Sequence, residues 1–506
     1  MMTSNNQNYF YSGPVTSKKI GKSLGKLIVK IDKREEQVAF ELLDCFNQSI
    51  RKKGCVLLRL NNTLMLLLPS GQIITQNCPE QLSFISLLAD GVIKNVLSYV
   101  SPLRSLMVVS KGRCKQFTAS LLDNEQKTQS RVHLYTFTSS TIPTTFTLAS
   151  LVYLRGYSGA HKSLLHKLDD MGFQAMNNPS IIYEKLIADY DIYEAKPNII
   201  IGNNATAYDT ANVIIRAYLK VAQINKFGMI VDIDTEFLHD YRVSLRKIRS
   251  VVSLFKGVYS EAQRTTLKTL FSDLMAPTGR LRDLDVYLLE REMYFQLLPT
   301  SLHEGLEYMF KLFEAERNDQ HKALIKYFKS PSFKKQMSTV EKLFFDDNLP
   351  KTGSRSAMIA SKYATSLIWK CYRKVCKIAR SIDENTPDEE VHELRIQCKK
   401  LRYLIEFFST LFDKKEITII IKSLKVLQNT LGLFNDYSVQ QDSLKAFIDA
   451  QALDGTKQDR AIAQSVGALI TVLHQRQLTE REKVASKFMH FDNADTQTTF
   501  KTLFKR

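Results

Sequence analysis

One basic helix is written twice in this chain. FLHDYRVSLRKIRSVVSLF (237–255) and EVHELRIQCKKLRYLIEFF (390–408) align with His239 over His392, Arg242 over Arg395, Arg246 over Lys399 and Arg249 over Arg402. Lys247 over Lys400 and Phe255 over Phe408 keep the same offset of 153 positions. Downstream, MAPTGRLRDLDV (275–286) lies over QNTLGLFNDYSV (428–439), matching Gly279 with Gly432, Asp283 with Asp436 and Val286 with Val439, while Asn435 replaces Arg282. Arginine offers a planar fork of donors and lysine a point charge, and both suit phosphate oxygens. A histidine three residues before an arginine adds a group that takes a proton near neutral pH. Two copies of such a set point to a duplicated site for a polyanion.

On a helix, His239, Arg242, Arg246 and Arg249 share a sector of about 80°. Leu238, Leu245, Ile248, Val252 and Phe255 fill the adjoining sector, as Val391, Cys398, Leu401, Ile405 and Phe408 do in the second copy. Each helix is therefore apolar on one stripe and cationic on the next. Like charges at i, i+4 cost an isolated helix about 0.2–0.5 kcal/mol per pair, so something must offset them. Two explanations stay open and are compatible: Asp283, Asp285 or Asp436 pair with the cations, or the stripe faces a groove and meets phosphates. Lys247 and Lys400 lie off the stripe and read as solvated charges or outlying contacts.

Further cations join the candidate set. Lys370, Arg373, Lys374 and Lys377 recur at i, i+3, i+4, i+7, with Arg216 and Lys220 as a thinner version in the first copy. Lys422 and Lys425 add to the basic surface. Arg282 is a candidate contact. Gly279 and Gly432 read as left-handed helix ends, each followed by an Asp at the next helix start.

These residues need elements to hold them. A chain of 506 residues is too long for one ordinary core, so it reads as multidomain. Apolar content of 44% with 24% charged residues fits a folded protein rather than a disordered one. The net charge of +18 attracts polyanions in general: nucleic acid, polyphosphate, inositol phosphates or an anionic membrane face. The seven cysteines form no CxxC and read as reduced thiols of a cytosolic protein, not as metal ligands. The N-terminus has no apolar core of a secretion signal, and LMLLLP (64–69) is far too short to span a bilayer.

Residues 1–23 are polar and read as a flexible N-terminus. Across 24–175, short β-rich runs such as CVLLRL (55–60), TLMLLL (63–68) and RVHLYTF (131–137) alternate with turn signals, predicting an α+β domain with an antiparallel sheet. Residues 176–207 read as a linker with a short helix. From 208 to 490 the period is helical, predicting an all-α duplicated bundle with copies at about 208–330 and 356–488 and a charged connector around 300–350. Residues 491–506 read as a tail.

The helical part resembles the CHAD family, the conserved-histidine α-helical domain. The resemblance rests on DIDTEFLHDYRVSLRKIRS (232–250) and GRLRDLDVYLL (279–289), the His, Arg at +3, basic cluster and RDxDV-like segment present twice. It implies a duplicated helical bundle whose central basic groove binds inorganic polyphosphate without catalysis. By that resemblance His239, Arg242, Arg246, Arg249, His392, Arg395, Lys399 and Arg402 become phosphate contacts. The N-terminal part resembles, more weakly, the CYTH-type region, through SPLRSLMVVSKGRCKQF (101–117), LLDN and LRGY. Its Glu-x-Glu-x-Lys signature is missing. ELLD (41–44) is the nearest thing to it, so no carboxylate set would hold the metal that triphosphate hydrolysis needs.

His239-Asp240 is the dipeptide of HD-type phosphohydrolases, but the second copy reads His392-Glu393 and further ligands are not found. Neither a catalytic residue, nor a metal, nor a cofactor is expected. Inorganic polyphosphate is the expected partner, in the cytoplasm and at polyphosphate granules. No membrane partner is expected. Nucleic acid is the rival polyanion, bound without sequence preference and released by salt; a scaffold for an acidic protein is the third reading.

Overall fold

The computed structural model describes residues 7–32, 36–187, 193–346, 349–383, 385–451 and 455–505. It falls into two compact units, Met1–Glu194 and Ala195–Arg506.

The first unit is built on one curled antiparallel sheet. Its strands are β1 (Gln7–Tyr11), β2 (Ser23–Leu24), β3 (Leu27–Ile31), β4 (Glu36–Cys45), β5 (Val56–Leu60), β6 (Thr63–Leu67), β7 (Ile73–Asn77), β8 (Leu106–Leu122), β9 (Thr128–Ser139), β10 (Thr145–Val152) and β11 (Gln174–Ala175). The order is β11-β1-β10-β9-β8-β4-β5-β6-β7, with β3 pairing β8 and β2 beside it. β5, apart from Arg59, and β6 read as apolar runs because both of their faces are covered. Val56, Leu58, Met65 and Leu67 feed one core with Phe40 and Phe137, and Leu57, Leu64 and Leu66 feed another with Ile93 and Leu97.

Two sequence expectations are corrected here. The N-terminus is not loose throughout 1–23: β1 pairs with β10 and β11 and buries Tyr9 and Phe10, while residues 1–6 lie outside those described. The short helix expected in the linker exists as Ile181–Leu186, but Ile182, Tyr183 and Leu186 are core residues packed on the sheet. Apolar residues at i, i+1 and i+4 made it a docking element, and residues 188–192 lie outside the description.

The second unit is helical. Its longer helices are α1 (Ala207–Val231), α2 (Thr235–Leu254), α3 (Glu261–Met275), α4 (Gly279–Leu289), α5 (His303–Lys329) and α6 (Pro331–Phe344), then α7 (Ala360–Arg380), α8 (Asp388–Phe407), α9 (Lys414–Ala450), α10 (Lys457–Glu482), α11 (Val484–Phe491) and α12 (Ala494–Phe504). A capping box of Thr206 and Asp209 starts α1, and the Asp234 carboxylate caps α2 by accepting from the Glu236 and Phe237 amides. Between them Gly228 admits the Phe237 ring; a Cβ there would stand 2.2 Å from it.

The glycine expectation fails in both copies. Gly279 has φ −64 and opens α4 after a 3-10 turn at Ala276–Thr278; Gly432 lies inside α9. Pro277 breaks the helix in the first copy, whereas Thr430 at the matching position donates its amide and lets α9 run unbroken. By length and composition α9 could cross a bilayer, yet it packs along α8, α10 and α11 as a bundle helix does.

The connector and the tail are also corrected. Within 300–350 the chain forms α5 and α6, burying Leu306, Phe310, Phe313, Phe333 and Phe344. At the other end α12 buries Phe500 and Phe504, and the Phe500 ring stacks on Tyr372 of α7 at 3.9 Å. Each repeat thus ends in a closing helix laid on its own first helix: α6 on α1, α12 on α7.

Candidate functional site

α2 and α8 pack against each other across the two repeats. Their apolar stripes meet at Phe255 and Phe408, which stack at 4.9 Å with planes 10° apart. The stripe beside that contact carries the cations, so the duplication brings both basic sets to one place. Burial and the charges of Arg246, Arg395 and Arg402 push the Lys399 ammonium down to about 8, against a weaker pull from Asp436. Arg246 comes from the first copy and the other three from the second.

Few carboxylates offset this charge. Arg395 lies 3.6 Å from the exposed Asp436, and Arg402 lies 3.5 Å from Glu406. Among the described residues, Arg246, Arg249, Arg282 and Lys399 have no carboxylate within salt-bridge distance. Of the acids nearby, Asp285 and Asp232 hold Arg317 and Glu316 holds Arg280, while the half-buried Asp283 acts on Arg242, Arg280 and Arg282 from beyond salt-bridge distance. Nε of Arg246 and Nη1 of Arg282 are buried donors without a hydrogen-bond partner among the described residues. Such donors are costly unless an acceptor reaches them.

The other predicted residues divide clearly. Arg242 donates to Thr278 Oγ1 at 2.7 Å, and the Thr278 hydroxyl donates in turn to the Met275 carbonyl. Burial lowers the Arg242 pKa, opposed by Asp283 and reinforced by Arg246 and Arg282. A Cβ on Gly279 would lie 3.9 Å from Arg242 Nη1, an ordinary contact, so this geometry does not demand glycine. Arg282 Nη2 donates to His239 Nδ1 at 3.2 Å. A guanidinium has no acceptor, so this ring nitrogen must accept and the imidazole proton sits on Nε2. His239 therefore orients Arg282 rather than adding a charge. Arg249 turns its Nη1 to Met275 Sδ at 3.9 Å, and His392 is exposed.

Several outlying candidates are not part of this cluster. Lys247, read as solvated, is buried: it pairs with Glu406 and lies 4.2 Å from the Tyr403 ring centre. The opposing helix supplies that cover, which a single helical wheel cannot show. Arg216 donates through Nε to the Phe344 carbonyl and so anchors α6. Lys220 is exposed on α1. Lys400 is half-buried on the side of Cys371 and Glu393, and Lys370, Lys374 and Lys377 lie on the exposed face of α7. The sequence reading missed Glu406, which follows the cluster cation Arg402 by four residues, the spacing of helix neighbours.

In the first unit the ELLD carboxylates are both engaged. Glu41 pairs with Arg59, and the buried Asp44 accepts from the amides of Cys45, Ile50 and Arg51 and from Tyr183. Among the described residues, no three His, Cys, Asp or Glu side chains are grouped to hold a metal.

A duplicated helical bundle with a basic seam between its copies defines the class. Residues 213–445 match the family model of the CHAD domain, and the second unit carries a CHAD domain. Among solved structures, the CHAD domain from the plant Ricinus communis is 21% identical, covers 58% of this chain and 94% of its own, with a TM-score of 0.47. PptA from Streptomyces chartreusis is 14% identical over 59% of this chain and 100% of its own, with a TM-score of 0.41. A candidate adenylate cyclase from Vibrio parahaemolyticus is 7% identical over 34% of this chain and 88% of its own, with a TM-score of 0.21. No curated protein matches the chain.

Proposed function

We propose that the second unit binds inorganic polyphosphate, without catalysis, along the basic seam between α2 and α8. The observation that carries this is the gathering of Arg246, Arg395, Lys399 and Arg402 with so few opposing acids. Crowding of cations raises the energy of the unliganded chain, and a polyanion relieves it at every position along the seam. Arg282, held by His239, and Arg242, held by Thr278, extend the seam with fixed donor forks. The ligand has charge at regular intervals and no group that needs reading, which suits a stripe of cations. On this reading the chain works in the cytoplasm, wherever polyphosphate collects.

The test is binding of labelled polyphosphate of short and long chain lengths at about 150 mM salt, where screening confines charge effects to short range. Duplex DNA is the competitor, and Arg246→Gln/Lys399→Gln the control. Affinity should grow with chain length, resist DNA and drop at least tenfold in the double variant. Binding displaced equally by DNA and indifferent to the substitutions sinks the proposal.

A further inference from the structure

We propose that the exposed face of α7 is a second, separate site, and that its ligand is single-stranded nucleic acid. The chain has one tryptophan, Trp369, and it sits among cations. Trp369, Arg373 and Lys377 line two adjoining grooves, of about 1020 Å³ and about 570 Å³, one bordered by Lys362 and Lys370 and the other by Lys501 of α12. Lys362, Lys370, Arg373, Lys377 and Lys501 are exposed, and among the described residues none has a carboxylate within salt-bridge distance. The neighbouring Lys374 and Arg380 are already paired, with Glu393 and Asp492.

This face is not a by-product of the duplication. At the offset of 153 that the two helix starts keep, the matching helix α1 has Arg216 where α7 has Trp369, Lys220 where it has Arg373 and Ile224 where it has Lys377. In the first copy the Arg216 guanidinium is turned to the Phe344 carbonyl of α6. The second copy keeps a cation at Arg373 and places the tryptophan ring where the first has that arginine.

The stripe from Lys362 to Lys377 runs about 22 Å along the helix, long enough to follow a strand's phosphates. Inorganic polyphosphate has no flat group to lie on Trp369, whereas every base has a face that stacks on an aromatic ring. A bilayer would want apolar side chains projecting from a convex surface. Here the ring is half-buried between two grooves, and Phe504 beside it is buried. A single strand, with bases free to turn onto the ring, fits this combination. The inference does not rest on the polyphosphate reading of the α2–α8 seam.

Because Trp369 is the one tryptophan, fluorescence of the full chain excited at the red edge, where only indole absorbs, reports this site alone. A short oligo-dT should quench it saturably at moderate salt. Arg373→Glu/Lys377→Glu, two exposed positions, should weaken oligo-dT binding at least tenfold and leave polyphosphate affinity within about twofold. Arg246→Gln/Lys399→Gln should do the reverse. Trp369→Phe should keep part of the affinity and Trp369→Ala should lose it. The proposal is overturned by unchanged fluorescence with oligo-dT, or by equal quenching from polyphosphate of the same charge. A spectral shift with phosphatidylserine vesicles but not with oligo-dT would overturn it in favour of a membrane surface.

Discussion

Phe255 and Phe408 occupy the same position in the two repeats and stack on each other. A residue that touches its own repeat image lies on the axis relating the copies. Tyr287 and Gln440 are another matched pair, with the Tyr287 hydroxyl donating to the Gln440 carbonyl. The ring contact fixes the register of α2 against α8, and the Tyr287 contact ties α4 to α9 about the same axis; the first register decides which cations face each other. Both phenylalanine rings are fully buried.

Phe255→Ala should therefore destabilise the helical unit by about 3–5 kcal/mol, the range for removing a core aromatic ring. Phe408→Ala should cost about the same. The two should couple by about 0.5–1.5 kcal/mol in a double-mutant cycle followed by urea unfolding. Additive losses would mean that the rings pack independently and do not set the register.

Lys247 and Glu406 tie the repeats beside that axis. Burial lowers the Lys247 pKa while Glu406 raises it, and the alkyl stem lies over Tyr403 and Phe407. Lys247→Met keeps the stem and leaves Glu406 with Arg402, so stability should change by less than about 1 kcal/mol. Glu406→Ala strands a buried ammonium and should cost about 3 kcal/mol. Polyphosphate affinity should survive Lys247→Met, since this cation does not face the seam. A tenfold loss of affinity there would return Lys247 to the ligand set.

The duplication, the basic helices and the α+β-then-α division were legible because they live in period and offset, which one sequence displays. What was not legible depended on neighbours. Lys247 stands outside the cationic sector on its own helix, and α8 covers it. The charged segment around 330–345 hides Phe333, Val340 and Phe344 among lysines, yet those three make α6 a core helix. At the C-terminus Phe500 and Phe504 sit in a polar run, and Tyr372 gives them a surface. The histidine remained ambiguous until Arg282 was seen to approach its Nδ1.

That approach makes His239 a positioning residue whose value lies in an acceptor, not in a charge. His239→Gln can still accept from Arg282 and should bind polyphosphate within about threefold of wild type. His239→Phe removes the acceptor and should lose about tenfold, the scale of one charge-assisted hydrogen bond. Arg282→Gln should lose a similar amount, and the two losses should not add. Affinity that instead climbs steeply as pH falls through 6 in wild type, and not in His239→Gln, would restore the histidine as a cationic contact.

Lys399 supplies the pH dependence of the seam. Its ammonium is held at about 8 rather than its ordinary 10.5 by burial and by Arg246, Arg395 and Arg402. Below about 8 the side chain is charged both with and without ligand, so affinity should be flat there. Above 8 the unliganded chain loses this proton and a bound polyanion holds it, so binding must take up a proton and affinity should fall with rising pH. The unliganded fold moves the other way. Its folded-state pKa lies below the unfolded value, so the penalty for the buried charge is fully present below 8 and relieved as pH rises toward 10.5. Affinity measured from pH 7 to 9.5 should therefore decline in wild type and stay level in Lys399→Arg, whose guanidinium does not titrate. Calorimetry at pH 8.5 in buffers of different ionisation enthalpy should show proton uptake in wild type alone. Parallel profiles in the two proteins would place the polyanion away from Lys399, and with it away from the meeting of α2 and α8.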